Sequence, residues 1–214
     1  MNRTLSAFAL PTALASILLV SACGTGSGSP AGGPDTRAPG LSSTSAPATA
    51  GATAADHNDA DVAFATDMIA HHSQAVQMAD MALKQSSTAS IKALAGQIKA
   101  AQDPEIQTMA GWLKAWGKPV PTPMAGHDMG SMSGSMQGMM SPQEMDALSK
   151  ASGAAFDRMW LQMMIKHHTG AVAMSKAQLT QGSSPDAKKL AQAIIDGQTK
   201  EITQMTGMLA DVKG

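Results

Sequence analysis

The sequence is short of the residues that most often stiffen a small protein or do its chemistry. Its one cysteine, Cys23, excludes an intramolecular disulfide and any zinc site built from several thiolates. Tyrosine is absent, and three Phe and three Trp are the only large aromatics, so a core has to be made of Ala, Leu, Ile, Val and Met. That palette suits helices better than strands. Charge is sparse and nearly balanced, 15 Lys and Arg against 16 Asp and Glu for a formal net charge of −1, which gives no electrostatic reason to expect nucleic acid as a partner. There is no Ser/His/Asp order, phosphate-cradling Gly loop, His-Glu-x-x-His or dinucleotide fingerprint. Hydrolase, nucleotide and redox-cofactor readings therefore have no support.

The apolar run from Leu5 to Val20 is too short for a comfortable membrane span, follows Arg3, and ends in Val20-Ser21-Ala22-Cys23. It resembles a secretory leader, residues 1–22, closed by a lipobox. In proteins with such a box the cysteine is acylated and becomes the mature N-terminus, which implies lipid attachment at Cys23 and a lipid membrane as partner, with the chain held in the cell envelope on the extracytoplasmic side. The plainer alternative is an ordinary signal peptide cut near Ala22. Residues 23–55 are almost wholly Gly, Pro, Ser, Thr and Ala. Such a segment cannot bury enough surface to offset its ordering entropy and reads as a disordered tether.

Residues 56–214 are expected to form one helical domain. Laying Asp61–Leu113 over Asp157–Leu209 at a constant offset of 96 gives 21 identities in 53 positions without a gap. The shared pattern is a helix, a turn and a second helix. In the first copy Asp61, Phe64, Met68, His71, Ala75 and Met78 follow alternating spacings of three and four, with Ile69, His72, Val76 and Leu83 as an adjoining stripe. The second copy repeats this with Asp157, Trp160, Met164, His167, Ala171 and Met174 beside Ile165, His168, Val172 and Leu179. Turns are expected at Ser86-Ser87-Thr88 and at Gly182-Ser183-Ser184-Pro185. The hairpins, 56–116 and 142–214, are joined by a connection, 117–141, that is long for a compact domain. Two hairpins so joined make an all-α, ferritin-like four-helix bundle with internal pseudo-two-fold symmetry.

Antiparallel helices of a hairpin place residues equally distant from the turn at similar height. Reflecting His71 and His72 through a turn centred at Ser87 and Thr88 lands between Gln102 and Glu105, so the two pairs should face each other; His167, His168, Gln198 and Glu201 repeat the relation. The interior then holds four histidines, two glutamates and two glutamines, with Met68, Met164, Met109 and Met205 about one turn away. Unsatisfied buried polar groups cost roughly 1–3 kcal/mol each, so something must satisfy them. A closed network in which each Glu accepts from an imidazole is one solution. A metal ion is the other, and the repetition of the doublet beside carboxylates and thioethers favours it.

Thioether sulfur with neutral imidazole suits Cu(I), whereas ferritin-like di-iron sites need more carboxylates and Glu-x-x-His pairs. Only Glu105 and Glu201 sit centrally and neither has a His three residues on; Asp61, Asp157 and Asp67 are the remaining candidates. Copper is thus preferred, with zinc or iron as alternatives. Methionines on helix faces are most simply core filler. The connection carries Met124, Met129, Met132, Met136, Met139 and Met140 with His127 and Asp128 among Gly and Ser, and has no apolar period. Met129, Met132, Met136, Met139 and His127 are therefore a candidate secondary site for Cu(I) or Ag(I), or an oxidant-scavenging linker.

The phrases Met68-Ile69-Ala70-His71-His72 with Ala75-Val76-Gln77-Met78, and Met164-Ile165-Lys166-His167-His168 with Ala171-Val172-Ala173-Met174, resemble a family of secreted bacterial proteins known as domain of unknown function three hundred and five. Its members include CopM-like copper-binding proteins. The resemblance covers about Asp56 to Gly214 and implies a ferritin-like bundle outside the cytoplasm. For some members it implies Cu(I) binding through Met and His in copper resistance or handling, and much of the family has no assigned activity. The expected function is binding, with a copper-transfer protein as a possible partner; a ferritin-like metal oxidase or a metal-free envelope scaffold is the alternative. The resemblance transfers to Met68, His71, His72 and Met78 and to Met164, His167, His168 and Met174. The copies differ at Phe64/Trp160 and Asp67/Met163, so they need not bind alike.

Overall fold

The computed structural model describes residues 56–122 and 136–212, and among them the secondary structure is entirely helical. Helix α1 spans Asp59–Gln85, α2 Ala89–Ala115, α3 Pro142–Lys150, α4 Gly153–Gln181 and α5 Pro185–Asp211. The turns fall where small polar residues and Pro185 placed them. Cys23, His127, Met129 and Met132 lie outside the described residues.

Local chemistry sets the ends. Asn58 caps α1 through a reciprocal exchange with Asp61, its side chain accepting from the Asp61 amide while the Asp61 carboxylate accepts from the Asn58 amide. Ser184 caps α5, which opens on Pro185, where a missing N–H costs nothing. Helix α2 closes at Gly117, whose φ of +68° lets the Lys118 amide turn back to the Leu113 carbonyl. The short helix α3 was not expected from the apolar period; it is held by a capping box between Ser141 and Glu144 and buries Leu148.

Helix α1 packs on α2 and α4 on α5, and the hairpins meet along α1 and α4. The apolar core divides in two. One cluster joins Ala75, Met78 and Ala82 to Leu94, Phe156, Trp160, Met164 and Met205; the other joins Phe64, Met68 and Ile69 to Met109, Leu113, Ala171 and Ile194. The later part of α1 thus meets the early part of α4 and vice versa, the antiparallel relation that a pseudo-two-fold between the copies requires. Between the clusters lies the polar layer. Each repeat's first aspartate reaches the other repeat's turn: Asp61 accepts from the Ser183 and Ser184 amides, and Asp157 from the Thr88 hydroxyl. These carboxylates are inter-hairpin ties and not part of the central layer.

Two expectations are corrected. Leu83, assigned to the inward stripe, is the one large hydrophobic that is exposed among the described residues, at 38 %. The connection was read as having no core to fill, yet Met139 and Met140 at its end are 5 % and 1 % exposed, and Met140 belongs to the first apolar cluster.

Candidate metal centre

Four imidazoles occupy the polar layer, and all are at most 1 % exposed. His71 of α1 and His167 of α4, equivalent residues of the two copies, lie against each other with ring centroids 3.7 Å apart and planes inclined by 38°. They mark where the pseudo-two-fold crosses the bundle. The other histidine of each doublet turns to its own hairpin partner: His72 Nε2 lies 2.7 Å from Glu105 Oε2, and His168 Nε2 lies 2.8 Å from Glu201 Oε2. The facing expected from reflection through each turn is realised to the same residue in both halves. The two glutamates are about one-fifth exposed, so each ties a buried ring to the rim of the bundle.

The inner pair is left wanting. Neither ring nitrogen of His71 or of His167 has a well-formed hydrogen bond among the described residues, and Gln102 and the carbonyl of Gln198 are likewise buried without one. Burial pushes the His71 pKa down to about 3; the neighbouring His72 and His168 act in the same direction, and the Gln137 main chain opposes them. Burial likewise holds His167 well below its ordinary value, reinforced by the other three rings. Both are neutral at physiological pH, the form in which imidazole offers a lone pair to a metal.

The predicted thioethers distribute unevenly. Met68 and Met164, one turn before each doublet, are wholly buried, the first in the second apolar cluster and the other in the first. Met78 lies two turns past the doublet, in the first cluster, where its carbonyl accepts the Trp160 indole N–H at 2.8 Å. Its counterpart Met174 is half-buried and lines a shallow cleft of about 180 Å³ with Phe64, Asp67 and Gln178. Neither Met78 nor Met174 is in the layer. Asp67, whose pKa burial raises, is in that cleft as well. Among the described residues no three His, Cys, Asp or Glu side chains are gathered as a ready-made cation cage. The layer offers two imidazoles without a well-formed hydrogen bond among the described residues, with thioethers one turn away in sequence, a set suited to a soft ion with few ligands.

Sequence reasoning missed one element of the site. Residues Met136–Met140, the end of the connection, cross α4 at Gly170 and are held from α1 by Gln74, whose amide donates to the Met140 carbonyl at 2.9 Å and accepts from the Met140 amide at 2.7 Å. Gln74 and Gly170 are equivalent positions at the offset of 96. A glycine in mid-helix, costing roughly 1 kcal/mol against alanine, opposite a glutamine in the other copy was the available signal of a close backbone approach.

Fold and site together define a class: all-helical bundles built from a duplicated hairpin with one histidine doublet in each copy. The chain belongs to the family described as domain of unknown function (DUF305), whose pattern matches residues 61–209. Among solved structures, a DUF305 protein from Streptomyces coelicolor described as secreted is 32 % identical, with a TM-score of 0.64 over 72 % of this chain and 93 % of that one. A DUF305 fragment from Deinococcus radiodurans is 32 % identical, with a TM-score of 0.63 over 72 % and 97 %. CopM in its Cu(I)-bound form is 33 % identical, with a TM-score of 0.59 over 72 % and 98 %. CopM structures also exist in Cu(II)-bound, Ag-bound and apo forms. No curated protein sequence matches the chain. Among the described residues no helix is long and apolar enough to cross a membrane.

Proposed function

We propose that the chain is an exported lipoprotein, anchored through Cys23, that binds Cu(I) at its histidine layer and sequesters it or passes it to a transfer protein. The observation that carries the reading is the pair His71/His167: two neutral, buried imidazoles with four nitrogen atoms and no well-formed hydrogen bond among the described residues. Such groups are costly to leave unmet, and a soft ion meets them without adding buried charge beyond its own. Likeness to CopM, crystallised with copper and silver, supports the choice of metal. Met68 and Met164 are the nearest thioethers in sequence that could complete the set.

Binding is favoured over catalysis. A ferritin-like oxidase needs several carboxylates around two metals, and here Glu105 and Glu201 are each engaged with a histidine. Competition of the purified chain with a chromophoric Cu(I) chelator tests the reading. Sub-micromolar competition that disappears in His71→Ala/His167→Ala is expected, and no competition by the wild type overturns it. Oxygen consumption on adding Fe(II) or Cu(I) would instead favour the oxidase.

A further inference from the structure

The strap Met136–Met140 does more than end a loop, because both copies of the repeat are altered to receive it. At Gly138, with φ of +88°, an added Cβ would lie 2.8 Å from the Lys166 carbonyl oxygen, 2.9 Å from Gly170 Cα and 3.0 Å from the His167 carbonyl oxygen. At Gly170 a Cβ would come within 1.9 Å of the Gln137 carbonyl oxygen. Backbone therefore lies on backbone, over the turn of α4 that carries His167, and only glycine at both positions allows it. From the opposite side Gln74, 3 % exposed, pairs with the Met140 main chain through both of its amide atoms. The Gln137 main chain also lies beside the His71 ring. One copy thus supplies a latch and the other a seat.

The helices of the bundle do not need this arrangement. The α1–α4 contact is made by side chains above and below the layer, and Gln74 sits at the position where the other copy has no side chain at all. The strap lies across the layer from Gln74 to Gly170, each three residues past an inner histidine. Two hydrogen bonds and the buried side chains of Met139 and Met140 fasten it.

We infer that the strap is the door of the histidine pair, latched by Gln74 and seated at Gly170, and that a soft monovalent ion enters or leaves His71 and His167 when it lifts. The inference rests on the metal-binding reading above, and its test is divided so that each can fail alone. In the metal-free full chain, Gln74→Ala removes the latch. Gly170→Ala favours helix but excludes the Gln137 carbonyl from its seat. Both variants are expected to speed carbethoxylation of His71 and His167 by diethyl pyrocarbonate at least tenfold, read residue by residue by mass spectrometry. Loss of hydrogen-exchange protection should be confined to Met136–Met140. After loading with Ag(I), release to a chelator should quicken by a comparable factor.

Unchanged modification in both variants overturns the door, as does a rise matched by equal loss of protection along α1 and α4, which is general unfolding. Faster modification with unchanged Ag(I) release also overturns it. If the wild type takes up neither Ag(I) nor Cu(I), the metal reading falls, and the modification arm still decides whether the strap controls access to the pair.

Discussion

Asp61 and Asp157 are the same residue of the two repeats, yet Asp61 accepts hydrogen bonds from Asn58, Gln178, Ser183 and Ser184, whereas Asp157 accepts only the Thr88 hydroxyl among the described residues. The difference has a source in sequence. Gln178 corresponds to Ala82 and Asn58 to Ala154, so the second aspartate lacks two donors, and its Oδ1 is buried without a hydrogen-bond partner among the described residues. Asp61→Ala is expected to cost about 2–4 kcal/mol, since it leaves several buried donors unmet. Asp157→Ala removes one bond and relieves an unpartnered oxygen, and should cost about 1 kcal/mol or less. Urea unfolding of the two variants checks this; equal losses would refute the assigned asymmetry.

The indole N–H of Trp160 ends on the Met78 carbonyl at 2.8 Å, and the ring is fully buried. Phe64, its equivalent, has no donor to offer at the matching place. Trp160→Phe should cost about 1–3 kcal/mol, the sum of a buried hydrogen bond and a small void. The intrinsic emission of the wild type should contain a blue-shifted component that this substitution removes while Trp112 and Trp116 remain. Emission unaltered by the change would place the indole elsewhere.

Much of this was legible beforehand because a repeat constrains itself. The period of three and four put both histidine doublets on the inward faces of α1 and α4, and reflection through the turns set each doublet opposite its Gln/Glu pair, within which the structure joins His72 to Glu105 and His168 to Glu201. The contact of His71 with His167 was not measurable that way, since reflection relates helices within a hairpin and says nothing of the register between hairpins. The strap escaped for a different reason. Its hold depends on main-chain atoms of Gln137 and Met140, which carry no residue-type signal, and only the exchange of Gln74 for Gly170 betrays it. Met139 and Met140, taken for loop thioethers, are buried because that strap carries them inward.

Acid should loosen the bundle in a defined window. The pKa of His71 is depressed to about 3 and that of His167 lies well below 6.5, so between those limits the unfolded chain binds protons that the folded one refuses. Stability from keeping these rings neutral is fully present above about pH 6.5 and is lost as pH falls toward 3, by up to about 1.4 kcal/mol per pH unit per histidine. Asp61 adds to the loss at the acid end: burial raises its pKa, but the hydrogen bonds from Asn58, Ser183, Gln178 and Ser184 outweigh it and hold it below 3.8. Urea unfolding of the metal-free chain at pH 7.5, 6, 5 and 4 should show a steady decline. The double variant His71→Asn/His167→Asn should flatten it, and a profile level from 7.5 to 4 would contradict neutral rings in the folded state.

A soft ion and a harder one can be told apart at the same layer through Met68 and Met164. Both are fully buried one turn before their doublets, so Met→Leu keeps volume and apolarity and should cost less than about 1.5 kcal/mol in stability. It removes only the sulfur. An ion bound to the folded chain alone at one hundred times its Kd raises stability by about 2.7 kcal/mol, which thermal unfolding with Ag(I), Cu(I) or Zn(II) reads directly. If imidazole and thioether act together, Met68→Leu/Met164→Leu weakens Cu(I) and Ag(I) at least tenfold and leaves Zn(II) little altered, while His71→Ala/His167→Ala abolishes stabilisation by all three. Zn(II) binding more tightly than Cu(I), with no effect of the methionine changes, would point to a set made of His72, His168, Glu105 and Glu201. Both glutamates belong to that set, so Zn(II) stabilisation would then vanish in Glu105→Gln/Glu201→Gln while Cu(I) stabilisation persisted.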